Sequence, residues 1–313
     1  RVLAYLIADG DISNKSGVHF ISKDPELLED FQECVESFEL VQTSQVSQVR
    51  GVTRLVVSRP RRADIAYHTP SGLLAFLREH GLKDKRGGLR SWEKFVPPFV
   101  FALTPEHLAV FVAALWDCDG FVGRNMCQYV TTSPRLAHDV QFLLLKLEIA
   151  STIYTSQYQT KYHGLQTRYQ VSVYNGKMFA DVVQPHLKSR KRFVQCLANS
   201  ETTISREAFL DELRSVVRNE SQRAIQRRLG IDRQHFSPRR RRCPRIEGHI
   251  VRKTAEQLEM MASLRLLRLR WEPIEEIREV GIEHVYDLEV AEVHNFVANG
   301  IIVHNCVYQE QVM

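Results

Sequence analysis

Two stretches of this chain, 110 residues apart, carry the same unusual pattern. Near the start runs Val2-Leu-Ala-Tyr-Leu-Ile-Ala-Asp9-Gly10, and much later Val112-Ala-Ala-Leu-Trp-Asp-Cys-Asp119-Gly120. Each is an apolar segment that ends in Asp-Gly. Small residues fall four apart in both, Ala4 and Ala8 in the first, Ala114 and Cys118 in the second. On a helix that spacing puts them on one face, where two helices can approach backbone to backbone. Such packing would set the carboxylates of Asp9 and Asp119 side by side. Two like charges repel unless a cation lies between them, and oxygen ligands suit Mg²⁺. A bound Mg²⁺ would activate water and stabilise a phosphate oxygen.

The two segments resemble the paired motifs of LAGLIDADG homing endonucleases. The second copy is nearly letter-perfect. The first departs at Ile7, where the family often keeps an earlier, structural Asp. The resemblance implies an α+β fold of two α-β-β-α-β-β-α repeats, residues 1–105 and 106–198, with Asp9 and Asp119 as metal-binding, catalytic acids. It also implies a Lys near the metal, assisting the attacking water or the charged transition state. Lys94, in Lys94-Phe-Val-Pro-Pro98, holds the usual place before the second motif, and Lys188 or Lys191 is the counterpart in the second repeat.

Alternation and β-branching predict strands at 19–22, 43–49 and 54–59 in the first repeat, and at 128–133, 151–157 and 168–174 in the second. Helices are expected over 25–38 and 136–147. The sheets would form saddles over double-stranded DNA. Outward Gln45, Gln48, Arg50, Arg54, Arg59, Gln157, Gln159, Lys161, Arg168 and Gln170 are of the types that reach base edges and phosphates.

The formal net charge of +5 conceals an asymmetry. Residues 186–253 hold 18 Lys and Arg against 7 Asp and Glu, a local excess of +11. A basic segment of that strength favours a polyanion such as nucleic acid. Within residues 199–255, Ser221 to Phe236 reads as a helix-turn-helix: Ala224, Ile225 and Leu229 at helical spacing, Gly230 at the turn, Asp232 capping a second helix. That second helix, with Arg233 and Gln234, would enter a major groove, and Arg239, Arg240, Arg241 and Arg242 would contact phosphates.

The end of the chain carries a different chemistry. Val285-Tyr-Asp-Leu-Glu-Val290 precedes His294-Asn-Phe-Val-Ala-Asn-Gly-Ile-Ile-Val-His304-Asn305-Cys306. An Asn amide can attack its own backbone carbonyl and cut the chain after itself. Imidazoles at His294 and His304 can supply the acid and base, and Cys306 an acyl-accepting nucleophile. Asn299-Gly300 is a hairpin-turn dipeptide. This stretch resembles the C-terminal splicing blocks of inteins, which implies that residues 256–305 supply strands of an all-β splicing (Hint) domain. Asp287 then matches an acid that couples the cleavage steps, and no cofactor is needed for splicing. Residues 271–280 read as an edge strand of that domain. The tail 306–313 would be the start of the downstream host, and Val307–Met313 resembles a segment of the bacterial DNA polymerase III alpha subunit. Neither an N-terminal nucleophile nor a Thr-x-x-His block precedes Arg1, so a missing N-terminal intein half, in cis or in trans, is the expected partner.

Six cysteines (34, 118, 127, 196, 243 and 306) show no paired metal spacing. No apolar run reaches membrane length, no membrane partner is expected, and free thiols suit a cytoplasmic location. One competing reading is a non-catalytic module that joins a LAGLIDADG-like fold to a helix-turn-helix and only binds DNA. Retention of both Asp9 and Asp119 weighs against it.

Overall fold

A computed structural model of the 313-residue chain describes residues 1–14, 17–49, 51–60, 69–123, 126–160, 164–174, 176–189, 203–217, 222–229, 245–260, 262–263, 276–279, 281–282, 284, 295–298 and 301–304. The chain divides into two compact units, Arg1–Asn199 and Ser200–Met313.

The first unit is a mixed α+β fold written twice. Its order is α1 (Val2–Ala8), β1 (Gly10–Asp11), β2 (Val18–Ser22), α2 (Pro25–Val35), β3 (Gln42–Val49), β4 (Val52–Ser58) and α3 (Gly72–Glu79). The pattern repeats as α4 (Pro105–Asp119), β5 (Gly120–Gly123), β6 (Met126–Thr131), α5 (Pro134–Lys146), β7 (Ser151–Thr160), β8 (Gly164–Val173) and α6 (Gly176–Val182). Each repeat folds one four-stranded antiparallel sheet, in the orders β1-β2-β4-β3 and β5-β6-β8-β7. The expected α-β-β-α-β-β-α order therefore holds in both halves.

Local chemistry explains the helix starts. Asp24, Thr104 and Ser133 each accept a main-chain N–H of the first turn, and Pro25, Pro105 and Pro134 follow them. A side-chain acceptor at the cap and a proline whose missing N–H is not needed both favour initiation there. The strands show the alternation that builds a two-faced sheet. In β2 Val18, Phe20 and Ser22 point inward, and in β6 Cys127, Tyr129 and Thr131 do. The opposite faces carry His19 and Ile21, and Gln128 and Val130.

One hydrophobic cluster runs through both repeats, from Val2 to Val183, with α1 packed against α4. Ala4, Ala113 and Ala114 are fully buried. Small side chains here let the two helices close together, as their spacing requires. Gly10 and Gly120 permit the sharp exit from each helix: a Cβ on Gly10 would lie 2.5 Å from the Leu6 main chain, and one on Gly120 would lie 2.4 Å from the Trp116 ring.

In the second unit, β9 (Thr203–Ser205) pairs antiparallel with β10 (Arg245–Glu247), with Ile204 opposite Ile246. Helices α7 (Arg206–Val216), α8 (Gln222–Leu229) and α9 (Gly248–Leu258) complete a small core around Phe209, Leu213, Leu229, Ile250 and Val251. Further along, β11 (Asn295–Ala298) and β12 (Ile301–His304) form a hairpin with Ala298 opposite Ile301. That register leaves two residues between the strands, as the Asn299-Gly300 turn signal requires. The expected edge strand over 271–280 is not borne out in its described part: residues 276–279 lie outside any strand and are exposed. Ile277 and its neighbours bury nothing there, so alternation alone did not produce pairing.

Candidate functional site

The site forms where α1 and α4 end together. Asp9 is the C-cap of α1 and is half-buried, while Asp119 is the last residue of α4 and is exposed. Both side chains lie within electrostatic range of one ammonium, that of Lys94.

Lys94 is nearly completely buried. Its Nζ donates to the carbonyls of Leu6 at 3.2 Å, Ala8 at 3.0 Å and Gly10 at 2.9 Å. Leu6 and Ala8 belong to the last turn of α1, where a helix leaves carbonyls without partners and its dipole favours a cation, and Gly10 opens β1. Burial lowers the Lys94 pKa, opposed by the charges of Asp119, Asp9 and Asp11. The segment bearing Lys94 is fixed from the other repeat. Its carbonyl accepts from the Ser133 hydroxyl at 2.6 Å, and the Val96 N–H donates to Asp139 at 2.8 Å. The three ammonium donors are thus committed to main chain.

Lys188 is placed differently. Its Nζ lies 3.0 Å from Asp30 on α2, and Asp30 also accepts from the Tyr5 hydroxyl at 2.7 Å. Asp117 accepts the N–H groups of Lys188 and Ser189 at 3.0 and 2.9 Å. Burial raises the Asp117 pKa against those two bonds. Asp117 occupies the motif position that Ile7, also buried, fills in the first repeat. Lys191 lies outside the described residues.

On the outward faces, the two halves differ. In the first, Arg54 donates to Asp11 at 3.2 Å and approaches His19 Nδ1 at 3.2 Å. The pairs Asp11↔His19 and Phe121↔Gln128 occupy matching register positions in the two sheets. Where one half carries an Asp-His-Arg cluster, the other carries Phe121 and Gln128. Arg59 donates to the Thr69 carbonyl at 3.2 Å. Arg168 is exposed, donates to the Ser156 hydroxyl at 2.9 Å, and lies over the Tyr158 ring. Gln45, Gln157 and Gln159 are exposed, while Gln170 is half-buried and donates to Ser172. For Gln48 only the backbone, in β3, is described, and Arg50 and Lys161 lie outside the described residues.

Sequence reasoning missed Lys83, whose buried ammonium donates to the carbonyls of Ile12, Asn14 and Gly17 and so holds the β1–β2 loop. It also missed Tyr129, an inward residue of β6 opposite Gly120. Nothing in a lone Lys or Tyr signals such a placement. In the second unit, α8 coincides with the first helix of the expected helix-turn-helix, while Arg233, Gln234 and Arg239 to Arg242 lie outside the described residues. The same holds for Asp287, His294, Asn305 and Cys306; His304 is the last residue of β12.

Among the described residues, no three or more His, Cys, Asp and Glu side chains gather to hold a metal. Two carboxylates from helix ends fit Mg²⁺, which keeps several waters and takes only one or two protein carboxylates plus phosphate oxygens. No described helix is long and apolar enough to cross a membrane.

The chain is similar to a replicative DNA helicase DnaB of Synechocystis sp., 28% identical over 99% of this chain, of which it spans 37%. It is also similar to the protein RecA of Mycobacterium tuberculosis, 24% identical over 98% of this chain and 42% of that protein. Among solved structures, the homing endonuclease I-DmoI aligns with a TM-score of 0.38 at 14% identity, over 61% of this chain and 95% of that one. The family model of the LAGLIDADG-like domain matches residues 1–66 and 106–184, the two stretches that hold the paired helices and their sheets, so the chain contains a LAGLIDADG-like domain.

Proposed function

We propose that residues 1–198 act as a site-specific endonuclease that hydrolyses both strands of duplex DNA with Mg²⁺. The observation that carries this reading is the convergence of Asp9 and Asp119 around the buried Lys94 ammonium, at the ends of two packed helices. A cation held there would activate a water for attack on phosphorus and offset charge on a phosphate oxygen. Asp9 and Asp119 would ligate it. Lys94, with its donors on main chain, holds the end of α1 and adds positive potential near a developing phosphorane charge. Lys188 and Lys191 are proposed as secondary contributors. Lys188 contributes through its ion pair with Asp30 rather than by direct contact.

Duplex DNA would lie across the outward strand faces. Arg50, Arg54, Arg59, Lys161 and Arg168 are the proposed contacts there, and Arg233, Gln234 and Arg239 to Arg242 are further proposed DNA contacts. The test is Asp119→Asn on a plasmid carrying the intein-free host gene. Cleavage should disappear while binding in a gel-shift assay persists. Cleavage that survives in the variant rejects the assignment.

A second activity, protein splicing, is favoured by a separate observation. Nearly the whole chain aligns with segments of two differently named proteins, a helicase and RecA, each more than twice its length. That is the pattern of an inserted element that moves between hosts. In this reading Asp287, His294 and His304 assist Asn305 cyclisation, and Cys306 is the downstream nucleophile, with the partner half supplied in cis or in trans. The host proposal, DNA polymerase III alpha subunit, rests on residues 306–313 alone. Asn305→Ala should block release of the tail beginning at Cys306 when an N-terminal intein half is supplied, as read by mass spectrometry.

A further inference from the structure

The two halves part at one buried position beside the acids. In β2, Phe20 pairs with Gly10, the residue after Asp9; in β6, Tyr129 pairs with Gly120, the residue after Asp119. Both rings are fully buried. Each packs on an aromatic ring of its neighbouring helix at 5.4 Å, Phe20 on Tyr5 and Tyr129 on Trp116. Phe20 fills its place with hydrocarbon alone, so the fold does not require a hydroxyl at this position.

Tyr129 nevertheless carries one, and it has no hydrogen-bond partner among the described residues. A buried, unpaired hydroxyl costs about 1–3 kcal/mol. That cost is removed if something outside the chain accepts the bond. Burial first, then the charges of Asp119, Cys118 and Asp9, keep the phenol protonated, so it is a neutral donor. Lys94 lies near the same two aspartates, but its donors are already committed to carbonyls.

We propose that Tyr129 is a positioning residue of the Asp9–Asp119 site, its hydroxyl donating to a water held there beside the cation. The inference rests on the metal reading of that site. The donor fixes the orientation of the water, and the half built on Phe20 offers no counterpart, so the two carboxylates sit in unlike surroundings. A protein group that hydrogen-bonds to a metal's ligand typically changes metal affinity by about tenfold or more when lost.

The experiment uses the full chain and Mn²⁺ alone, with free Mn²⁺ followed by electron paramagnetic resonance and bound water by proton relaxation. Tyr129→Phe copies the other half. It should melt no lower than the parent, bind Mn²⁺ about tenfold more weakly and show altered relaxation. Mn²⁺ affinity and relaxation equal to the parent overturn the proposal, whatever the melting temperature. Asp119→Asn separates the two readings. If it leaves Mn²⁺ binding intact, the metal reading of the site fails. If it removes binding while Tyr129→Phe does not, only the role of Tyr129 fails.

Discussion

Lys94 shows how far a residue can be read before its surroundings are known. Its place ahead of the second motif was legible, and so was its proximity to Asp9 and Asp119. That its ammonium ties the end of α1 to the start of β1 was not, because the acceptors are main-chain atoms 84 to 88 residues away. Replacing it with Met should cost about 1–3 kcal/mol in denaturant unfolding, since three carbonyls lose a charged donor. Asp30 gave no signal in the sequence, yet it joins Tyr5, Arg1 and Lys188. Those bonds hold its pKa below 3.8 despite burial. A depressed carboxylate pKa contributes stability above 3.8 that is lost as pH falls through the folded value. Asp30→Asn should therefore destabilise by about 1–2 kcal/mol at neutral pH, with the difference from the parent vanishing in strong acid.

Whole elements were legible where a cap, a proline and alternation agreed. Helices α2 and α5 begin at Asp24-Pro25 and Ser133-Pro134, and the main strands of both sheets fall within a few residues of their expected bounds. Strands β1 and β5 were not individually visible, being two and four residues long and containing glycine. Their formation depends on the tight exit from α1 and α4. Gly120→Ala should lower stability by about 1–3 kcal/mol, because a methyl there enters the Trp116 ring and main chain. Ala114→Leu should cost at least as much, since this fully buried residue lies on a helix packed against α1. Thermal melts of both variants check these values. Over 276–279 the alternation forms no strand, because periodicity reports a side-chain pattern and not the presence of a partner strand; residues 271–275 and 280 lie outside the described residues.

At the scale of the molecule, the two hydrophobic cores among the described residues share no member: one is built from residues 2 to 183, the other from 204 to 260. Residues 1–199 expressed alone should therefore fold with the same secondary structure by circular dichroism, and calorimetry of the full chain should resolve more than one transition. The repeat was legible at this scale because two motifs 110 residues apart constrain each other; the separate small core was hidden by its high charge.

The mismatch between Asp11-His19-Arg54 and Phe121-Gln128 has one more consequence. A homodimer must read the same letters from both ends, so its target is a palindrome. With both halves on a single chain, each sheet has been free to drift. If these sheets grip a duplex, the recognised sequence has a left and a right, and reversing one half-site should abolish recognition even though its base composition is unchanged.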